Sequence, residues 1–169
     1  SIDELPLQDL QNFWSLLYMD FCRKICTDHP AEGETVIRRA IAETGRRQGE
    51  WQRQEHEQMG LNTNLHSFFL DGRGAVCDPR SAAAVHTRNT EVCLWDRYIC
   101  PMANYWAAHS AEAYGRFYCE EYMRAFLSGY TGGKGQFHLS KVLTDKRDIL
   151  CQFAAYFRPA NLELEQRRK

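Results

Sequence analysis

No surplus of charge of either sign marks this chain: 21 lysines and arginines stand against 22 aspartates and glutamates, a formal net charge of −1. That balance excludes the one-signed electrostatic footprint of a nucleic-acid-binding surface. Long apolar runs are missing too. The richest stretch, Phe13 to Ile25, is broken by Asp20, Arg23 and Lys24, too polar and too short to span a bilayer, so no membrane partner is expected. Asp3 and Glu4 near the start have the wrong sign for a secretory signal, whose first residues are basic. There is no G-x-G-x-x-G and no P-loop, and no organic cofactor is expected. The seven cysteines, at 22, 26, 77, 93, 100, 119 and 151, are odd in number and fit no small secreted disulfide framework. A reducing cytoplasm is the expected location.

What is present is enough apolar material for one core. A chain of 169 residues, 44% hydrophobic and 12% aromatic, buries most of what its unfolded form exposes, so a single α+β domain over 1–169 is expected. Its helical part is 1–60 and its sheet-containing part 90–158. Leu7, Leu10, Phe13, Trp14, Leu17, Phe21 and Ile25 recur every three or four residues, the period of a helix, and His29-Pro30 ends it. Glu32 to Met59 reads as a second helix, free of proline and closed by Gly60. Leu61 to Pro79 is left irregular, with Asp71-Gly72-Arg73-Gly74 as a tight turn.

The period then changes. Glu91 to Cys100 alternates like a strand. Ser110 to Gly129 reads as a helix capped by those two residues, and Thr131 to Gly135 as a flexible connection. Gln136–Thr144 and Asp148–Phe157 form an antiparallel hairpin about the turn Asp145-Lys146-Arg147. The tail from Pro159 is charged and expected to fray. The architecture is two N-terminal helices followed by a strand-helix-strand-strand unit, a small, largely antiparallel sheet covered by helices.

Three cysteines sit on successive elements of that unit. Cys100 precedes Pro101 at a strand end, Cys119 lies in a helix, and Cys151 lies in a strand. Either they pack as small hydrophobes or they converge on chemistry, as a nucleophile or as metal ligands. Cys100 has the better position for a nucleophile, at a strand end leading into a loop, rigid yet accessible. Cys119 shares a helical face with Gly115, Tyr122 and Phe126, and Cys151 reads as core or pocket wall. His138, one strand from Cys151, is the best acid or base among the histidines, if it is not a structural one. In the second helix Gly45, Gly49, Arg53 and His56 fall on one face. Two glycines inside a helix each cost about 1 kcal/mol against alanine. Either a neighbouring helix comes close there, or the glycines leave room for a ligand whose carboxylate Arg53 grips. Tyr105, Trp106 and Tyr122 offer flat walls with polar tips.

Gly45-Arg46-Arg47-Gln48-Gly49, Arg53 and His56-Glu57-Gln58-Met59-Gly60-Leu61, followed by Cys100-Pro101, Tyr105-Trp106, Cys119, Asp148 and Cys151, resemble the family of L-2-amino-thiazoline-4-carboxylic acid hydrolases over roughly Val36 to Phe157. The resemblance implies hydrolytic opening of a small, carboxylate-bearing heterocycle with a C=N bond. Two positions depart from the family's pattern. Tyr122 stands where an acid is expected and Arg147 replaces a glycine, which passes the base role to Glu120, Glu121 or His138. The resulting expectation is a hydrolase with Cys100, or else Cys119, as nucleophile, His138 or Glu121 moving the proton, and Gly49, Arg53, His56, Tyr105, Trp106, Tyr122 and Cys151 around the substrate. No metal and no cofactor are assigned, and self-association is left open. The alternative is a non-catalytic small-molecule-binding or sensor domain, its cysteines holding zinc or nothing.

Overall fold

The computed structural model describes residues 4–70 and 82–167. Cys77 and the turn expected at 71–74 lie outside the described residues. Helix α1 (Glu4–Asp28) is followed by α2 (Gly33–Gln58), a short α3 (Leu65–Leu70), strands β1 (Ala82–Arg88) and β2 (Val92–Ile99), α4 (Pro101–Ala108), α5 (Glu112–Thr131), β3 (Gln136–Lys141), β4 (Cys151–Tyr156) and α6 (Pro159–Arg167). The fold is mixed α+β, as the periodicities predict. The four strands form one sheet in the order β1-β2-β4-β3 with every neighbouring pair antiparallel.

The junction of α2 and α5 decides how the layers stack. A methyl group on Gly49 would collide with the Phe126 carbonyl oxygen, and one on Gly129 with the Arg46 carbonyl oxygen, so the two helices touch backbone to backbone. Of the two readings of the helical glycines, the close approach of a neighbouring helix describes Gly49. The same crossing turns Phe126, Leu127 and Tyr130 of α5 down onto Cys93 and Trp95 of β2, with Leu65 and Phe68 of α3 closing the side.

The other face of the sheet is covered as well. Val92 and Leu94 of β2 join Ala154 and are capped by Leu162 of α6. Two-sided burial explains why Val92 to Asp96 are all buried, where an alternating strand was expected to have one wet face. It also explains why the charged tail forms a helix and does not fray.

Several boundaries differ from expectation for local reasons. Pro101 opens a helix at its first position, where its fixed φ and missing N–H cost nothing, so the segment after Cys100 is α4 and not a loop. Ser110 takes a positive φ of 53° and does not cap α5, which ends at Gly132 in the left-handed conformation, not at Gly129. Strand β1 has no signal in the sequence beyond Val85 and Thr87. It is pinned to β2 by Asn89, whose side-chain oxygen accepts from the Glu91 and Val92 amides at 2.8 and 2.9 Å.

Replacing Gly49 by alanine should gain about 1 kcal/mol of helix propensity and lose about 1–3 kcal/mol by forcing α2 from α5. The expected net result is a lower urea midpoint for Gly49→Ala. An unchanged or higher midpoint would mean that the crossing yields easily.

Candidate functional site

The three thiols singled out by the sequence do converge. Cys119 of α5 neighbours Cys151, Cys100 and Thr144, and the Leu143 amide donates to Cys151 Sγ at 3.2 Å. The neighbourhood is dry. Burial pushes the Cys119 thiol well up and the Cys151 thiol up to about 11, the opposite of what an attacking thiolate requires. Cys100 is buried as well, the last residue before α4, so the accessible strand end expected there is closed.

The remaining expected partners do not gather around these thiols. His138 is exposed and pairs with Ala154, whereas Cys151 lies on the same sheet face as Phe153 and Ala155. A side chain on the opposite pleat of an edge strand cannot reach the cluster. Glu121 takes an ion pair from Arg38 at 3.0 Å on the side where α2 faces α5, about 200° around the helix from Cys119. Gly49 is filled by α5. Arg53 is half-buried, lies 3.8 Å from Glu57 and places its guanidinium beside Gly132 at the end of α5. His56 is wholly buried, its Nδ1 2.7 Å from the Tyr130 hydroxyl. Tyr105 stacks on His109. Trp106 is fully buried and donates to the Ser15 carbonyl at 3.1 Å, tying α4 to α1.

Tyr122 leads elsewhere. It stacks on Tyr118, with centroids 4.9 Å apart, and the two form the floor of an open groove of about 470 Å³ between α1 and α2. One wall is Trp14, Tyr18, Phe21, Cys22 and Ile25 of α1; the other is Val36, Ile37, Ala40 and Ile41 of α2, with Thr44 and Gln48 at one end. No ionisable carboxylate, lysine or arginine lines it. Its volume falls within the 300–1,000 Å³ usual for small-ligand sites. Tyr18 donates its hydroxyl to the Tyr114 carbonyl at 2.7 Å, which fixes the ring as a wall. The Cys22 thiol, pushed up to about 11 by burial, stays protonated near neutrality.

The groove and the thiols are adjacent but distinct. Tyr118 lines the groove with Tyr122 and also neighbours Cys119 and Cys100. Of the residues proposed from sequence, only Tyr122 lines the groove. The other lining residues carry no separate signal, because the apolar positions of α1 and α2 that form the walls read equally well as core.

Comparison with known proteins bears on the fold. No family model and no curated protein matches the sequence. The structure is similar to that of trafficking protein particle complex subunit 3 from Naegleria fowleri, crystallised covalently bound to palmitic acid. The TM-score is 0.56 at 10% identity, over 88% of this chain and 95% of that one. At that identity the likeness is one of fold. It overturns the resemblance to the amino-thiazoline carboxylate hydrolases, since the fold found is the one the Naegleria subunit has. The enzyme assignment, the heterocyclic substrate and the cysteine-nucleophile mechanism are corrected with it, and the raised, buried thiols agree with the correction. No described helix is long and apolar enough to cross a membrane.

Thiol chemistry provides a direct check. Cys22 and Cys151 sit at about 11 against 9.0 for an ordinary thiol, so their thiolate fraction near neutrality is about a hundredfold below that of the unfolded chain. Alkylation by iodoacetamide, followed residue by residue by mass spectrometry, should be slower by about that factor in native protein than in urea. Equal rates would contradict the buried, protonated assignment.

Proposed function

We propose that this chain is a non-catalytic binding module, working in a reducing compartment such as the cytoplasm, whose α1–α2 groove holds a single long apolar chain with one polar end. The observation that carries this reading is the lining of the groove: apolar and aromatic along its length, uncharged throughout, with the Thr44 hydroxyl and the Gln48 amide at one end. From Val36 to Gln48 the wall formed by α2 runs about 18 Å at 1.5 Å per residue. That length suits an extended long-chain acyl group, and burial of its methylenes supplies about 0.8 kcal/mol each.

The fold likeness supports the same class of ligand, since the Naegleria subunit carries palmitic acid. In this chain Cys22 is the thiol that lines the groove. Burial raises the Cys22 thiol as it does Cys151, which favours a free fatty acid held without a bond over transfer of an acyl thioester to Cys22 Sγ, in which the thiol proton would leave on the departing sulfur. Intact-mass measurement separates the two.

A fluorescent fatty acid should bind saturably, one per chain. Ala40→Trp, which fills the groove from α2, should weaken binding by tenfold or more, about 1.4 kcal/mol. His138→Ala and Cys100→Ser should leave it unchanged. Absence of saturable binding, or equal binding by Ala40→Trp, would remove the proposal.

A further inference from the structure

Helix α1 is apolar on two opposite faces. Ser15, Met19 and Cys22 turn inward and are buried. On the far side Leu10 (62% exposed), Phe13 (59%), Leu17 (40%) and Phe21 (60%) stand in water, flanked by Trp14 and Leu16 at 37% and 38%. At roughly 200 Å² for each large aromatic side chain, Phe13, Trp14 and Phe21 alone leave roughly 300 Å² of apolar surface uncovered. The leucines bring the stripe to roughly 600 Å², the upper end of what a soluble monomer exposes in one patch. Two such stripes pressed together would bury about 1,200 Å² in total, the lower edge of specific interfaces.

The sequence of the stripe says what covers it. Leu10, Phe13, Leu17, Phe21 and Lys24 are spaced by three, four, four and three residues, a pattern that reads the same in both directions about Leu17. Two copies of α1 laid antiparallel about a two-fold axis at Leu17 therefore match: Leu17 meets Leu17, Phe13 meets Phe21, and Leu10 lies along the aliphatic stem of Lys24. An isologous pairing of this kind needs one self-complementary surface and nothing else. The spacing, not charge, sets the direction, since within α1 Lys24 is already paired with Asp28 at 2.8 Å and Arg23 lies 3.8 Å from Asp20.

We infer that the outward face of α1 is a self-association surface, through which two copies of this chain pair antiparallel across Leu17. Leu17 and Phe13 lie outside the groove, while Trp14 and Phe21 belong to both surfaces, so the test of pairing uses Leu17, which the groove does not.

Sedimentation equilibrium at tens of micromolar should give a particle of twice the 19.7 kDa chain mass. Leu17→Glu places two carboxylates face to face on the axis and should yield a monomer with unchanged circular dichroism and a melting temperature that no longer rises with protein concentration, Leu17 being 40% exposed. A monomeric native chain, or a dimer that Leu17→Glu leaves intact, would overturn the inference.

Discussion

The backbone contact between α2 and α5 is the constraint from which the other features follow. With Gly49 against the Phe126 carbonyl and Gly129 against the Arg46 carbonyl, the helices cross as closely as main chain allows. Side chains that would otherwise fill the space between them are driven to either side. Below the crossing, Phe126, Leu127 and Tyr130 pack on the sheet. Above it, Ile37 and Ile41 of α2 and Phe117 of α5 meet Cys22 of α1. Helix α1 rests on this upper layer without sealing it, and the unsealed seam is the groove.

Aromatic side chains keep that seam open. Trp14 stacks on Tyr18, Tyr18 leans on Trp106, and Tyr118 stacks on Tyr122. Rings held on both faces cannot rotate into the space beside them as a leucine or methionine would. The same ladder divides two environments of different chemistry. On one side is an uncharged apolar channel open to solvent; on the other are Cys100, Cys119 and Cys151, the last two with thiols that burial pushes up. A thiol cluster of this kind packs well and attacks poorly, so the convergence of Cys100, Cys119 and Cys151 stabilises the junction of β2, α5 and β4 without being a catalytic centre.

Much of the architecture was legible in the sequence because periodicity reports burial directly. Helices α1 and α2, the central strand β2 and the β3–β4 hairpin all appear at or near their expected positions. The misses share one cause, burial that does not alternate. Strand β1 is short and alanine-rich, and α4 and α6 are formed by Pro101 and Pro159 at their first positions, which read equally well as breaks. At the site, the convergence of the cysteines was legible from their elements, but the upward push on Cys119 and Cys151 was not, because desolvation is a property of the whole packed neighbourhood. His138 illustrates the limit in another way. One pleat decides whether it faces the thiols or the solvent, and the register that sets the pleat carries a shift between Leu139 and Lys141. The groove was hidden because its walls come from α1, α2 and α5, helices whose apolar residues all pass for core.

The measurement that bears most directly on this account is paramagnetic broadening in the NMR spectrum of the chain mixed with a fatty acid spin-labelled midway along its tail. The account predicts selective loss of signals from Tyr18, Ile37, Ala40 and Tyr122, with those of His138 and Ser140 on β3 unaffected. Broadening spread evenly over the surface, or centred on Cys100 and Cys151, would contradict it.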